Sequence, residues 1–192
     1  MCVKYGEDSN LIPFPKKKYK IIYADPPYYF KSYSKKGEGR SATKHYPCMG
    51  IDDIYNLPVS SITDNDCILF LWVTDPFLEK GLEIIKRWSF TYKTIAFTWV
   101  KGKKNQYLDY NFFKGMGYWT RANPEMCLLA TKGKPKRISN NVDQFILSPR
   151  RKHSQKPDEI RERITQLCGD LPRIELFARN KYKGWDSYGN EV

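Results

Sequence analysis

The chain has 192 residues, of which 41% are hydrophobic and 15% aromatic, and its 33 Lys and Arg against 21 Asp and Glu give a formal net charge of +12. This composition predicts one globular domain over residues 1–192 and excludes disordered, collagen-like and repeat proteins. No stretch has the roughly 18 consecutive apolar residues of a membrane-spanning helix, and no secretory signal opens the chain, so we expect a cytoplasmic protein without membrane contacts.

The hydrophobic pattern predicts strands and helices that alternate along the chain. The expected strands cover residues 20–24, 67–73, 92–100, 125–131, 144–147 and 173–178. The expected helices cover residues 51–57, the segment that Asp75 caps and Pro76 opens, and the segment that follows residues 154–157. This alternation is typical of an α/β fold with a mainly parallel central sheet and helices on both faces. Residues 31–47 and 101–117 read as long connecting loops.

The cysteines and histidines argue against metal and hydrolase chemistry. The five cysteines are scattered and lie mostly in apolar runs, so they form neither a disulfide framework nor a CxxC zinc pattern. His45 and His153 are the only histidines, which makes a histidine-rich metal site or a Ser-His-Asp triad hard to assemble. We therefore expect reduced cysteines in the core and no metal.

The positive charge is concentrated in five short stretches. They hold 19 of the 33 basic residues and a single acid, and they cover residues 16–20, 31–45, 101–104, 132–137 and 150–152. Any one stretch is adequately explained as a solvated surface. Five of them, with aromatic residues in between, favour a nucleic acid whose phosphates they neutralise and whose bases they stack on. The candidate substrate-binding residues among them are Lys35, Lys36, Arg40, Lys44, Lys103 and Lys104.

The turn that follows the first strand carries the candidate catalytic residues, Asp25, Pro26, Pro27 and Tyr28. Two successive prolines remove two backbone donors, so the strand must end here. The Asp25 carboxylate and the Pro26 carbonyl, which has no ladder partner, could accept both hydrogens of an NH2 group that lies on the Tyr28 ring. An exocyclic amine of a base fits this arrangement, and the two acceptors would help it attack an electrophilic methyl group. An ordinary strand-ending turn is the alternative.

Several further segments extend this motif in a fixed order: residues 23–28, 45–49, 69–74, 99–101, 117–119, 123–129, 132–135, 154–159, 173–179 and 184–192. Through them the chain resembles, nearly end to end, the N6-adenine methyltransferase family typified by the seventy-kilodalton catalytic subunit of mRNA adenosine methyltransferase. The resemblance implies a Rossmann-like methyltransferase that uses S-adenosyl-L-methionine. It also implies a permuted motif order, with the catalytic turn first and much of the cofactor pocket last.

The resemblance also implies residue roles. Lys156 would hold the methionine carboxylate, Asp25 would lie near the methionine ammonium as well as the target amine, and Glu175 would suit the ribose hydroxyls. The remaining expected contacts are Phe177 and Arg179 beside the nucleoside, Asn190 and Glu191 near the adenine or ribose, and Tyr46 and Ser154 beside the target adenine. Each of the cofactor residues, taken singly, has an ordinary structural explanation.

Two departures from the family pattern bear on the substrate. The most familiar turn of the family ends in Trp, whereas Tyr28 stands here, as in many DNA amino-methyltransferases. An acid upstream of the catalytic strand, which contacts the cofactor adenine in the family, has only Glu7 or Asp8 as a counterpart. We therefore expect methylation of adenine N6 in DNA, with RNA as the alternative substrate.

Two further classes stay open, and both are weakened by the acidic turn. A catalytically silent partner subunit would tend to lose Asp25 and Lys156, and methylation of a protein amide usually goes with Asn in place of Asp25. Neither change is present. The sequence does not distinguish a monomer from a homodimer or a heterodimer.

Overall fold

The computed structural model describes residues 13–29, 48–102, 112–115, 117–151 and 154–192. Within these ranges seven strands form one sheet, and three α-helices pack against it. The strands are β1 (Tyr19–Ala24), β2 (Thr63–Val73), β3 (Thr91–Gly102), β4 (Glu125–Lys132), β5 (Phe145–Pro149), β6 (Arg173–Leu176) and β7 (Asp186–Tyr188). The helices are α1 (Ile51–Tyr55), α2 (Leu78–Arg87) and α3 (Glu159–Cys168).

The strand order across the sheet is β5-β3-β4-β2-β1-β6-β7. Neighbouring strands are parallel except where β4 meets β2 and β3, to both of which it is antiparallel. Strands β1, β2, β3, β5, β6 and β7 therefore all point the same way. The mainly parallel α/β fold expected from the sequence is confirmed.

Both faces of the sheet are buried, because successive side chains of a strand point to opposite faces. In β1, Ile22 belongs to the core cluster that contains residues of α1 and α2, whereas Ile21 belongs to the cluster that contains Ile160 and Ile164 of α3. The helices thus cover both faces, which explains why β1 and β2 read as continuous apolar runs. Cys48, Cys67, Cys127 and Cys168 are free thiols in this core, as predicted.

Three details differ from the sequence prediction. Asp75 does not cap a helix with its side chain, since it lies inside a short 3-10 helix (Asp75–Phe77), and α2 begins only at Leu78. Strand β6 ends at Leu176 instead of residue 178, because Phe177 adopts a positive φ of 61° and turns the chain out of the sheet. Strand β7 was not predicted, since three residues are too few to show a period.

Among the described residues, no helix is long and apolar enough to cross a membrane. The same part of the chain holds no cluster of three or more His, Cys, Asp or Glu arranged for a metal ion.

Candidate active site

The candidate site lies where β1 and β6 end side by side. These strands are parallel neighbours, with Tyr23 opposite Glu175 and Ala24 opposite Leu176. Asp25 and Phe177, the residues that follow each strand, therefore emerge at the same edge. From β1 the chain continues to β2 on one side, while β6 comes from a later part of the chain on the other. Open α/β sheets place their ligand crevices at such carboxyl ends.

A cleft opens at this edge and encloses about 980 Å³, including its open mouth. It is lined by the predicted residues Asp25, Pro26, Pro27, Ser154, Lys156, Glu175, Phe177, Arg179, Asn190 and Glu191. The fold thus brings together residues from both ends of the sequence, although their individual roles stay predictions.

Tyr28 comes directly after the cleft residues Pro26 and Pro27 in the chain, and its side chain contacts core residues. Its ring stacks on Phe77 with the ring centres 4.7 Å apart, and its hydroxyl donates to the Trp72 carbonyl at 3.0 Å. A base that stacks on Tyr28 would have to use the ring face opposite Phe77.

The Pro26 carbonyl, for which the sequence predicted no ladder partner, takes part in a hydrogen bond within the turn. It accepts the backbone N–H of Tyr28 at 2.9 Å. A carbonyl oxygen has two lone pairs, so one remains for a further donor. This turn can therefore still accept hydrogens at both Asp25 and Pro26.

Seven predicted substrate residues and the two candidate N-terminal acids lie outside the described residues and stay predictions. They are Lys35, Lys36, Arg40, Lys44, Tyr46, Lys103, Lys104, Glu7 and Asp8.

Lys156 is the centre of a line of alternating charges in the cleft wall. Its Nζ lies 2.8 and 2.7 Å from the two carboxylate oxygens of Asp25 and 3.2 Å from Oε2 of Glu125. The other oxygen of Glu125 accepts from Nζ of Lys101 at 2.6 Å. Lys156 is only 8% exposed. A lysine this deeply buried is stabilised by its two carboxylate partners.

The pKa values of these groups follow from burial and pairing. Burial by itself lowers the pKa of Lys156, but Asp25 and Glu125 raise it above its usual value overall. Burial raises the pKa of Glu125, yet Lys156 and Lys101 outweigh this and lower it to about 2. For Asp25 burial dominates, so its pKa is raised although Lys156 opposes the shift. Lys156 and Glu125 are therefore charged at neutral pH, and of the two carboxylates Asp25 is the one that protonates first on acidification.

A second ion pair, which is buried, also lines the cleft. Arg161 donates from Nε and Nη2 to the two oxygens of Glu175, at 2.7 and 2.6 Å, and its guanidinium packs 3.5 Å from the ring centre of Tyr182. This two-bond geometry fixes the Glu175 carboxylate in one orientation. The remaining nitrogen, Nη1, is buried and has no hydrogen-bond partner among the described residues. This nitrogen lies 3.6 Å from Oδ1 of Asp158, with which it forms an ion pair.

Backbone strain is also concentrated in the cleft. Ser154 and Phe177, which both line it, have positive φ values of 61°, a region that side-chain-bearing residues seldom occupy. Gly189 approaches Ala178 so closely that a Cβ atom would lie 2.2 Å from the Ala178 carbonyl oxygen. Strained residues persist where the surrounding structure fixes them, and such residues cluster at ligand sites.

Comparison with known proteins identifies the family of this chain. The model of the MT-A70 family matches residues 19–191. The chain belongs to the MT-A70 family. This membership confirms the resemblance noted in the sequence, the Rossmann-like fold and the expectation that the protein is a methyltransferase.

Relatives of two kinds match this MT-A70 chain. The type II methyltransferase M.MunI of a Mycoplasma sp is 38% identical over 195 residues, which cover 93% of this chain and 79% of that protein. The putative N(6)-adenosine-methyltransferase MT-A70-like of Medicago truncatula is 31% identical over 179 residues, and the N(6)-adenosine-methyltransferase catalytic subunit METTL3 of Homo sapiens is 29% identical over 178 residues. These two alignments each cover 91% of this chain but only 26% and 28% of the relatives, so the MT-A70 chain spans about a quarter of their length.

Two charged residues of this MT-A70 site were not predicted from the sequence. Glu125 begins β4 and is followed by five apolar residues, so a single charge at the start of a buried run was the available signal. Arg161 lies on the face of α3 that carries Ile160 and Ile164, where an arginine is out of place unless it is paired. Neither signal names the partner, because Lys156 and Glu175 are distant along the chain.

The five basic stretches do not all flank the cleft. Residues 16–20 lead into the start of β1, and residues 132–137 begin at the last residue of the antiparallel β4, so both stretches lie at the strand ends opposite the cleft. Lys18 donates to the Ser61 carbonyl and Lys132 to the Thr63 hydroxyl, each at 2.6 Å, which places both stretches beside the start of β2. Residues 150–151, in contrast, follow β5, and Lys101 is the second-last residue of β3. Both therefore lie at the cleft end of the sheet.

The Arg161–Glu175 pair provides a stability test. We expect Arg161→Met to destabilise the fold by about 3–5 kcal/mol, because it leaves the Glu175 carboxylate buried without a partner. The double variant Arg161→Met, Glu175→Gln should recover much of this loss. Urea unfolding monitored by circular dichroism measures both. The matched control is Arg87→Met, which breaks an exposed pair with Glu83 that is worth about 0.5 kcal/mol. Equal losses for the two single variants would contradict the prediction.

Proposed function

We propose that the protein transfers the methyl group of S-adenosyl-L-methionine to the N6 amine of adenine in DNA, inside the cell. The observation that carries this proposal is the part-buried Asp25–Lys156 pair, with its two bonds of 2.8 and 2.7 Å, which lies in the cleft directly beside the Pro26-Pro27 turn. One pair of opposite charges thus lies next to the acceptors expected for a target amine.

The residues of the cleft fit the methyl donor by their chemistry. Its amino-acid end is a zwitterion, and Lys156 can donate to the carboxylate while Asp25 accepts from the ammonium. Glu175 is oriented by Arg161 and each of its oxygens keeps a lone pair for a ribose hydroxyl. Phe177, Arg179, Asn190 and Glu191 supply apolar and polar contacts for the rest of a nucleoside. When bound, S-adenosyl-L-methionine supplies an electrophilic methyl group on a sulfonium.

The acidic turn (residues 25–28) would bind the target amine. Asp25 accepts one hydrogen, and the free lone pair of the Pro26 carbonyl accepts the other. With both hydrogens held, the nitrogen lone pair is directed out of the ring plane and toward the methyl donor. No strong base is needed, because the proton can leave after the methyl group has arrived. Rate enhancement then comes mainly from alignment.

DNA is favoured over RNA by two observations. The relative that shares 38% identity and is covered over 79% of its length is a type II methyltransferase, a class that modifies DNA. Tyr28 also stands where the adenosine methyltransferases of the resemblance most familiarly have Trp. RNA is the second candidate, since the other relatives are named adenosine methyltransferases. In duplex DNA the target adenine must leave the base stack, which costs a few kcal/mol.

The polymer can be determined directly. We expect the protein, given labelled methyl donor and matched pools of DNA and RNA, to place N6-methyladenine in the DNA pool. Digestion to nucleosides and mass spectrometry locates the product. Asp25→Asn serves as the control for contaminating activity. Label found only in RNA, or on a base other than adenine, would overturn the choice of substrate.

The location of the basic stretches predicts an uneven dependence on salt. Replacing the exposed Lys134, Lys136 and Arg137 by Gln should leave the slope of log affinity against log salt nearly unchanged, because these residues lie away from the cleft. Replacing Lys114, Arg121 and Arg150 by Gln should make it shallower, by about 0.7–0.9 for each lost phosphate contact. Fluorescence anisotropy with a labelled oligonucleotide measures both triple variants. Equal changes of slope for the two triple variants would show that basic residues contribute to nucleic acid binding wherever they lie relative to the cleft.

A further inference from the structure

Trp119 is exposed in a way that no other tryptophan of the chain is. It is 93% accessible and its neighbour Tyr118 is 82% accessible, whereas Trp72, Trp88, Trp99 and Trp185 are all buried. The two rings contact each other edge to face, with centres 6.5 Å apart. A tryptophan held in water gains nothing from hydrophobic burial, so its position calls for another explanation.

The backbone holds Trp119 in this exposed position at a cost. Its φ is +70°, and the N–H of Thr120 donates to the Tyr118 carbonyl at 2.9 Å across it. Together these features form a tight γ-turn of the rare, strained kind. A bulky residue in the left-handed region is an outlier, and such outliers cluster at ligand contacts. We call residues 117–121 the aromatic turn.

The base of the aromatic turn is closed by hydrogen bonds. Gly115 donates to the Ala122 carbonyl at 2.8 Å. The Asn123 side chain accepts from the Lys101 N–H at 2.8 Å and donates to the carbonyls of Lys101 and Phe113 at 3.1 and 2.6 Å. Both ends of the segment are thus tied to β3 through Lys101.

The aromatic turn lies close to the cleft. Asn123 is two residues before Glu125, which pairs with Lys156 in the cleft wall. Glu125 is six positions after Trp119 in the chain, a distance of at most about 21 Å along an extended chain. Because base pairs of a duplex rise by about 3.4 Å each, the turn is within about six base steps of Glu125.

The charges around the aromatic turn match a polyanion. Lys114, Arg121 and Arg150 are exposed, and none of the ion pairs among the described residues involves them. Arg150 is fixed over the Phe113 ring at 4.0 Å. Exposed aromatic rings among cations are the arrangement with which proteins stack on bases while contacting phosphates. A second copy of this surface would instead bring like charges together.

We propose, resting on the function proposed above, that Tyr118 and Trp119 stack on unpaired or displaced bases within about six base steps of the target adenine, while Lys114, Arg121 and Arg150 contact the neighbouring phosphates. Removing a base from a duplex leaves its neighbours unstacked. An aromatic wedge supplies the lost stacking surface and so favours the open state. The aromatic turn is thus a nucleic acid contact outside the cleft.

Trp119 provides its own reporter, since the four other tryptophans are buried. Acrylamide quenching of the wild-type protein, compared with Trp119→Phe, isolates the signal of this residue. We expect a saturating single-stranded DNA 20-mer, whose bases are open to stacking, to protect Trp119 from acrylamide. This measurement needs neither methyl donor nor catalysis, so its outcome is independent of the methylation assay. Unchanged quenching with the 20-mer bound would overturn the inference and leave the proposed function intact.

Affinity gives a second, independent measure. Trp119→Ala should weaken binding of the same 20-mer by about 5-fold to about 100-fold, the range for loss of one base–aromatic stack. The matched control is Tyr92→Ala, which removes an exposed aromatic ring at the start of β3, the opposite end from the cleft, and should leave affinity unchanged. Equal affinities for the wild type and Trp119→Ala would contradict the inference. A loss that sedimentation traces to dissociation of a dimer would assign the turn to self-association instead.

Discussion

Asp25→Asn should reduce methyl transfer by at least about 100-fold to 1000-fold, the cost of removing one aligned charge-stabilising contact from a reaction centre. The substitution keeps the shape of the side chain but replaces an acceptor-only carboxylate by an amide, whose NH2 end would oppose the target amine and the methionine ammonium. Asp25→Ala should be at least as severe. Transfer of a labelled methyl group to the DNA pool measures both variants, and wild-type rates would remove Asp25 from the catalytic assignment.

The same substitution should leave the fold intact, for an electrostatic reason. Burial raises the pKa of Asp25 in the folded state, so its protonated form stabilises the fold below the unfolded-state pKa, and this contribution is lost as pH rises through the folded pKa. At neutral pH the cost of burying the ionised carboxylate offsets part of what its ion pair with Lys156 contributes, so Asp25→Asn should lose less stability than Lys156→Ala. Lys156 keeps Glu125 as a partner at 3.2 Å. Thermal unfolding measures the stability of Asp25→Asn, which is then compared with the loss of activity in the methyl-transfer assay.

The raised pKa of Asp25 also predicts the pH profile. Because the carboxylate form accepts the amine hydrogens, activity should fall as pH decreases through the folded-state pKa. This acid limb should lie above the value of 3.8 for an unperturbed aspartate. A profile of kcat/KM against pH, taken where the protein stays folded, measures the limb. A limb at or below the ordinary value would show that Asp25 is not the titrating acceptor.

Lys156→Ala should affect both stability and cofactor binding. It removes the cation between two carboxylates, so Asp25 and Glu125 are left close to one another without it. Breaking one partner from a buried charge cluster costs about 3–5 kcal/mol. Calorimetry should show that affinity for the methyl donor falls more than affinity for an oligonucleotide, since only the donor presents its carboxylate to this position. Lys156→Arg keeps the charge and should retain more stability.

The stability of Lys156→Ala in acid should change in a definite direction. In the wild type the pKa of Glu125 is lowered to about 2 from 4.5, so its ionised form stabilises the fold above 4.5, and the contribution is lost as pH falls toward 2. Without Lys156 the pKa of Glu125 should rise, and acid unfolding should begin at a higher pH. The control is Lys17→Ala, which breaks an exposed pair with Asp186 and should shift acid unfolding little. Identical acid unfolding transitions in the wild type and Lys156→Ala would contradict the inference that Lys156 lowers the pKa of Glu125.

The local features of this protein were determined by its sequence. Apolar runs of period two and 3.6 gave the strands and helices to within a few residues, because burial on one or both faces imposes those periods. The two prolines after Asp25 ended β1 where the structure ends it, since proline cannot donate to a ladder. The motif order around this turn was enough to identify the methyltransferase family.

The pairing of charges was decided only by the tertiary structure. Arg161 meets Glu175, and Lys156 meets both Asp25 and Glu125, because the register of β1, β6 and β4 brings distant segments to one sheet edge. The basic stretches illustrate the same point, since residues 16–20 and 132–137 share a composition with the other stretches but lie at the opposite edge. Composition specifies how much charge the chain carries. Strand direction, which depends on non-local hydrogen bonding, decides where that charge lies relative to the cleft.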